Sequence, residues 1–130
     1  MTKRILVVED DNSLSMLLRL IMKFRQEEWL LSSASNGLEA LTQVEKFQPD
    51  LVLLDIMMPE MDGLEFARRV RADARWSNMT IVVLSALSDP NTRRKARDIG
   101  VQEYWTKPIT PDELQAGLQR VLGEELPDVP

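Results

Sequence analysis

Short apolar runs alternate along the chain with segments whose apolar residues recur at helical spacing. Ile5-Leu6-Val7-Val8 is rich in β-branched residues and is cut off by acids, so it reads as a strand buried on both faces. Leu14, Leu17, Leu18, Ile21 and Phe24 then predict a helix, with Asn12 or Ser13 as its N-cap. Trp29 to Ser33 carries a weaker strand signal. Asn36-Gly37 marks a turn, and Leu38, Leu41 and Val44 predict a second helix that Pro49 ends. Leu51-Val52-Leu53-Leu54 is a third strand, ended by Asp55. A loop with Pro59 and Gly63 follows, and Phe66, Ala67 and Val70 predict a third helix. Ile81-Val82-Val83-Leu84, ended by Ser85, predicts a fourth strand. Pro90 opens a fourth helix running to Gly100; beyond Ala96 and Ile99 it has little apolar content, so it is expected to be exposed and loosely packed. Glu103 to Thr106 is a short fifth strand. Thr110-Pro111-Asp112-Glu113 forms a capping box, and Leu114, Leu118, Val121 and Leu122 give the fifth helix its apolar face.

Five strand–helix alternations with short buried strands predict an α/β fold, a doubly wound five-stranded parallel sheet with helices on both faces. Ligands in such sheets bind at the carboxyl ends of the strands. Four ends carry reactive groups: Glu9-Asp10-Asp11 after the first strand, Asp55 after the third, Ser85 at the fourth and Lys107-Pro108 after the fifth. Each alone has a plain structural reading. Acids before a helix complement its dipole, a strand-end Ser caps, and a Lys before Pro is solvated. All four fall on one edge of one sheet, which argues for a site.

Composition narrows the chemistry. The 130 residues fit one domain. With no Cys and no His, the chain can have no disulfide, thiol nucleophile, imidazole base or phosphohistidine of its own. The apolar runs fall far short of the ~18–20 residues of a membrane span, and the N-terminus lacks a signal-peptide pattern. A cytoplasmic protein without membrane insertion is expected. A net charge of −5 argues against direct nucleic-acid binding by bulk electrostatics. Crowded carboxylates without His or Cys suit Mg²⁺ or Mn²⁺. A hydroxyl and a Lys around one further carboxylate are the equipment of phosphoryl transfer, with Asp as covalent nucleophile.

The motifs VVEDD, LLDIMMPEMDG, VVLSA and EYWTKP, in this order, resemble the receiver domain of two-component response regulators. Thirty residues separate Asp55 from Ser85 and 22 separate Ser85 from Lys107, and the resemblance runs from about Lys3 to Leu122. It implies the flavodoxin-like receiver fold with strand order 2-1-3-4-5. It also implies one receiver domain over residues 1–123, with 124–130 as a C-terminal tail or the start of a linker. Asp55 would be the phosphoacceptor. Asp10 would bind Mg²⁺ directly and Glu9 mainly through water, with Asp55 and the backbone carbonyl of Met57 completing the metal set. Ser85 and Lys107 would contact the phosphoryl group, Tyr104 would be the aromatic switch, and Lys107–Pro108 would be cis. Asp11 is an extra acid with no ligand role, and Ser85 stands where Thr is commoner. Trp105 is expected to pack against a helix.

Because the chain has no His, its donor would be a sensor histidine kinase, a histidine phosphotransfer protein or a small phosphodonor. The resemblance describes a signalling phosphoacceptor that catalyses only its own phosphorylation and dephosphorylation, not an enzyme with a separate substrate. On phosphorylation Ser85 would move toward the new oxygens and Tyr104 would rotate into the vacated space. That would switch the face of helix four, strand five and helix five toward an output protein or a second protomer. Arg93, Arg94, Lys95 and Arg97 make this helix basic. The alternatives are a degenerate receiver acting only as an interaction module, and a Mg²⁺-dependent phosphatase with an Asp nucleophile. The phosphatase would carry a second Asp where Met57 stands. Met57 and Leu87 occupy positions that tune dephosphorylation in the family, and neither can orient an attacking water. The purified phosphorylated protein in Mg²⁺ should therefore outlast seconds, as followed by intact mass; a lifetime of seconds would contradict this.

Overall fold

Apolar runs become strands and amphipathic segments become helices, in strict alternation. The computed structural model describes residues 2–56, 62–87 and 89–123. The elements are β1 (Lys3–Val8), α1 (Ser13–Arg25), β2 (Trp29–Ala34), α2 (Gly37–Phe47), β3 (Leu51–Leu54), α3 (Gly63–Ala72), β4 (Thr80–Ser85), α4 (Pro90–Ile99), β5 (Glu103–Thr106) and α5 (Pro111–Val121). The strands form one parallel sheet in the order β2-β1-β3-β4-β5, the doubly wound order expected.

The pleat sorts each strand's side chains onto two cores, because successive residues point to opposite faces. Leu6, Val8, Val52, Leu54, Ile81 and Val83 meet Phe66, Ala67 and Val70 of α3, with Ala40 and Val44 of α2. Ile5, Val7, Leu51, Leu53, Val82 and Leu84 meet Leu14, Leu18 and Ile21 of α1, with Leu114 and Leu118 of α5. Fully burying each of the Val, Leu, Ile and Phe side chains among these contributes about 1.5–3 kcal/mol. Helix ends are capped locally. Asn36, Asp62, Asp89 and Thr110 each accept a backbone N–H three residues on, and Thr110 with Glu113 forms the expected reciprocal box. Gly100, at φ 99°, ends α4 in the left-handed region that favours glycine.

Two apolar residues assigned to helix faces are exposed instead. Phe24 is 72% exposed and Leu38 51%. A helix turns about 100° per residue, so Phe24 lies round from the Leu14–Leu18–Ile21 stripe. It joins Met16 and Leu20 on the outer side, with the Lys23 ammonium 5.5 Å from its ring centroid. Leu38 lies opposite Ala40, whose small side chain faces the sheet. As expected, α4 buries only Ala96. Its C-terminal end is tied down by Arg71 of α3, whose Nη2 donates to the Gly100 carbonyl at 3.0 Å and to Gln102 Oε1 at 2.9 Å. Trp105 packs on α5, as anticipated; a Cβ at Gly117 would lie 2.7 Å from its Cζ2.

The β1–β3 and β3–β4 registers pair Val8 with Leu54 and Leu54 with Val83. The carboxyl ends of β1 and β3 are therefore level, and β4 runs two residues further, to Ser85. Hydrogen bonds continue past them: Glu9 N–H donates to Ala34 O, Asp55 N–H to Val8 O and Lys107 N–H to Ser85 O. Gly63, at the start of α3, lies directly against this rim; a Cβ there would sit 2.7 Å from Ile56 Cα and 2.8 Å from the Asp55 carbonyl oxygen. Gly63→Ala should therefore destabilise the fold by about 1–3 kcal/mol, because backbone rather than a flexible side chain must move. A lowered urea midpoint is the expected reading, and an unchanged one would refute it.

Candidate functional site

The rim gathers one ion pair and one buried hydroxyl. Asp55 follows β3 directly and its side chain is 13% exposed. Lys107 Nζ reaches its Oδ2 at 3.1 Å. With Lys107 itself 29% exposed, this pair is far less screened than a surface bridge. Lys107–Pro108 is cis, as the family resemblance implied. Ser85 is fully buried, and its hydroxyl oxygen accepts the Leu87 N–H at 3.2 Å. The Tyr104 hydroxyl donates to the Leu87 carbonyl. The ring of the expected switch residue is thus already turned toward the β4–α4 connection. Burial is the main cause that pushes its hydroxyl pKa above 10.0.

The acids after β1 have divided roles. Glu9 is 4% exposed, and its two carboxylate oxygens accept the Leu14 N–H at 3.0 Å and the Ser15 N–H at 3.3 Å. Asp11 accepts the Ser13 N–H at 2.9 Å and the Ser13 hydroxyl at 2.7 Å. These two acids cap α1. Asn12, at the N-cap position, makes no side-chain capping bond. Asn12 thus holds the expected N-cap position, but the capping bonds come from the acids leaving β1, which reach the free N–H groups of the helix first. Burial, reinforced by Asp11, raises the Glu9 carboxyl to about 7. Asp11 is held at about 2, chiefly by its hydrogen bond with Glu9 and then by Ser13. The pair retains one proton between them over that range.

Asp10 is exposed at the rim. Among the described residues, no group of three or more carboxylate, imidazole or thiol side chains is placed to hold a metal ion. Met57 and Pro59 lie outside the described residues, as do 124–130. The structure thus joins Asp55 with Lys107 and links Ser85 with Tyr104 through Leu87, while Glu9 faces α1. One contact had no sequence signal: Arg93 of α4 lies over the Tyr104 ring, 4.8 Å from its centroid, and donates to Thr106 Oγ1 at 2.6 Å.

The response regulator receiver domain family matches residues 5–119. The chain belongs to this family. This receiver is 40% identical over 116 residues to the DNA-binding response regulator MtrA of Mycolicibacterium paratuberculosis (strain ATCC BAA-968 / K-10), covering 89% of this chain and 49% of MtrA. It is 36% identical over 128 residues to the response regulator MprA of Mycobacterium sp. (strain KMS), covering 98% of this chain and 54% of MprA. The receiver spans about half the length of these curated relatives. Among solved structures, a response regulator from Chloroflexus aurantiacus J-10-fl superposes with a TM-score of 0.84 at 27% identity, over 95% of this chain and 100% of that one. The chemotaxis response regulator CheY4 of Vibrio cholerae gives 0.82 at 26%, over 93% of this chain and 99% of that one.

The Glu9 shift carries a sign for stability. Its carboxyl ordinarily titrates at 4.5 but at about 7 in the folded receiver, so the folded state binds the extra proton between these values. Stability from this group is full below 4.5 and is lost as pH rises toward 7. Asp11 acts oppositely: its contribution is present above 3.8 and is lost as pH falls toward 2. In EDTA, urea unfolding at about pH 5 and about pH 8 should differ by roughly 1–3 kcal/mol from Glu9, and Glu9→Gln should remove that difference. An unaltered pH slope in the variant would contradict the assignment.

Proposed function

We propose that this receiver accepts a phosphoryl group on Asp55 from the phosphohistidine of a sensor histidine kinase or histidine phosphotransfer protein, and that the transfer switches the α4–β5–α5 face. The half-buried Asp55–Lys107 pair at the carboxyl edge carries this reading. These 130 residues hold no His, so the donor's imidazole lies outside them. An Asp55 oxygen attacks phosphorus, the donor's P–N bond breaks, and its electron pair returns to the imidazole. Lys107, already on the acceptor, stabilises charge on the phosphoryl oxygens, and Ser85 supplies a hydroxyl donor once it leaves the Leu87 N–H.

The donor types suit a hard divalent cation, being oxygens only, although the described carboxylates are not gathered around one point in this state. Glu9, Asp10, Asp55 and the Met57 carbonyl would hold Mg²⁺ or Mn²⁺, which supplies charge neutralisation when bound. Residues 1–123 act as the receiver in this reading, with 124–130 as tail or linker. The output is a protein partner or a second copy meeting α4, β5 and α5. Direct nucleic-acid contact by this segment is disfavoured by its net charge of −5. No helix among the described residues is long and apolar enough to cross a membrane, and a cytoplasmic setting fits.

Incubation with Mg²⁺ and acetyl phosphate or phosphoramidate should add one phosphoryl group by intact mass, and Asp55→Asn should abolish the addition. Turnover of many phosphate esters would instead indicate a phosphatase. Absence of any adduct would indicate an interaction module.

A further inference from the structure

The switch tyrosine is held from outside as well as from within. Tyr104 is the chain's single tyrosine. On its inner side the hydroxyl donates to the Leu87 carbonyl, and the Leu87 N–H donates to the Ser85 hydroxyl oxygen. On its outer side the Arg93 guanidinium stacks 4.8 Å from the ring centroid, and its Nη2 is fixed by the Thr106 hydroxyl at 2.6 Å. Thr106 lies two residues beyond Tyr104 in β5, hence on the same face of the sheet. The fork is therefore anchored beside the ring that it covers, and outward rotation of Tyr104 must first displace it. Little else restrains this end of α4, whose buried anchor, Ala96, lies a turn further on. Among the described residues, no other cation lies over the Tyr104 ring.

We propose that Arg93 is a positioning residue that latches Tyr104 in its Leu87-bound rotamer before any phosphorylation. The resting receiver is thereby biased toward the arrangement that its phosphorylated form adopts. This second consequence rests on the proposed role of Asp55, since Leu87 and Ser85 connect the latch to that site. Linkage then requires Arg93 to strengthen the affinity of Asp55 for a phosphoryl group by the same factor by which phosphorylation strengthens the latch. The interaction adds a solvent-exposed cation–π contact to a hydrogen bond, so its loss should shift the Tyr104 equilibrium by roughly tenfold.

The single tyrosine gives a direct readout. Ring-labelled NMR of the whole chain without phosphodonor should show Tyr104 in one inward rotamer. Arg93→Ala should move it to an outward or averaged position. Arg93→Lys, which keeps the charge but loses the planar fork, should fall between. Asn91→Ala, on the same exposed helix, should match the wild type. An outward ring in the wild type, or an unmoved ring in Arg93→Ala, overturns the latch. In parallel, binding of beryllium fluoride with Mg²⁺, a stable phosphoryl mimic, should weaken by about fivefold in Arg93→Ala, read by the chain's tryptophan fluorescence with Trp29 and Trp76 replaced by Phe in both proteins. Equal affinity in wild type and variant overturns the coupling. If the wild type takes up neither beryllium fluoride nor a phosphoryl group, the acceptor reading fails, and the NMR result still decides the latch. Arg93 is exposed, so the variant keeps the core intact, and its urea midpoint verifies this.

Discussion

The fixed register of β1, β3 and β4 is the constraint on which everything at the rim depends. Each of these strands is buried on both faces, and a slip by one residue would exchange the two side-chain sets and drive both cores out of fit. Phe66 and Leu53 illustrate the penalty, since each is wholly buried in a different cluster. The register that satisfies both cores places Glu9, Asp55 and Ser85 at comparable heights, and the ladder bonds that run past the strand ends hold their backbones there. The position of the chemistry is thus enforced by apolar packing rather than by the polar residues themselves.

Those polar residues make the rim expensive to leave unpaired. Burying a carboxylate is costly unless it finds a cation or donors. Asp55 finds Lys107, while Glu9 finds two helix N–H groups and a shared proton with Asp11. The two solutions differ in consequence. A carboxylate held by the mobile end of a lysine side chain can exchange that partner without disturbing the backbone. A carboxyl that caps a helix gives its lone pairs to the backbone. Glu9 is therefore a structural group in this state, and a change of charge nearby would compete for it.

The opposite property marks α4. One buried alanine, the partly buried Ile99, a tether through Arg71 and the Arg93 contact hold it, so much of its attachment is polar and divisible. Elements that move in signalling are drawn from such weakly held parts, because a few hydrogen bonds can be exchanged where a packed core cannot. The surface that would communicate with a partner is the one the core commits to least.

Much of this was legible in the residue order. The strands were visible as apolar runs because parallel strands need no polar face, and the Thr110 box was visible because its partners are three residues apart. The family motifs placed Asp55, Ser85 and Lys107 on one edge. Phe24, Leu38 and Asn12 were not legible in the same way. Helical spacing says which residues share a face, but the docking angle of the helix on the sheet decides which face is buried. The α1 cap depends on where the chain leaves β1 in space. Arg93 and Tyr104 meet because the α4–β5 connection folds the helix back beside its strand. Local propensity and burial set the elements of this protein from sequence alone. The crossover geometry that brings distant polar groups together is a property of the assembled sheet, because contacts through space depend on how whole elements pack.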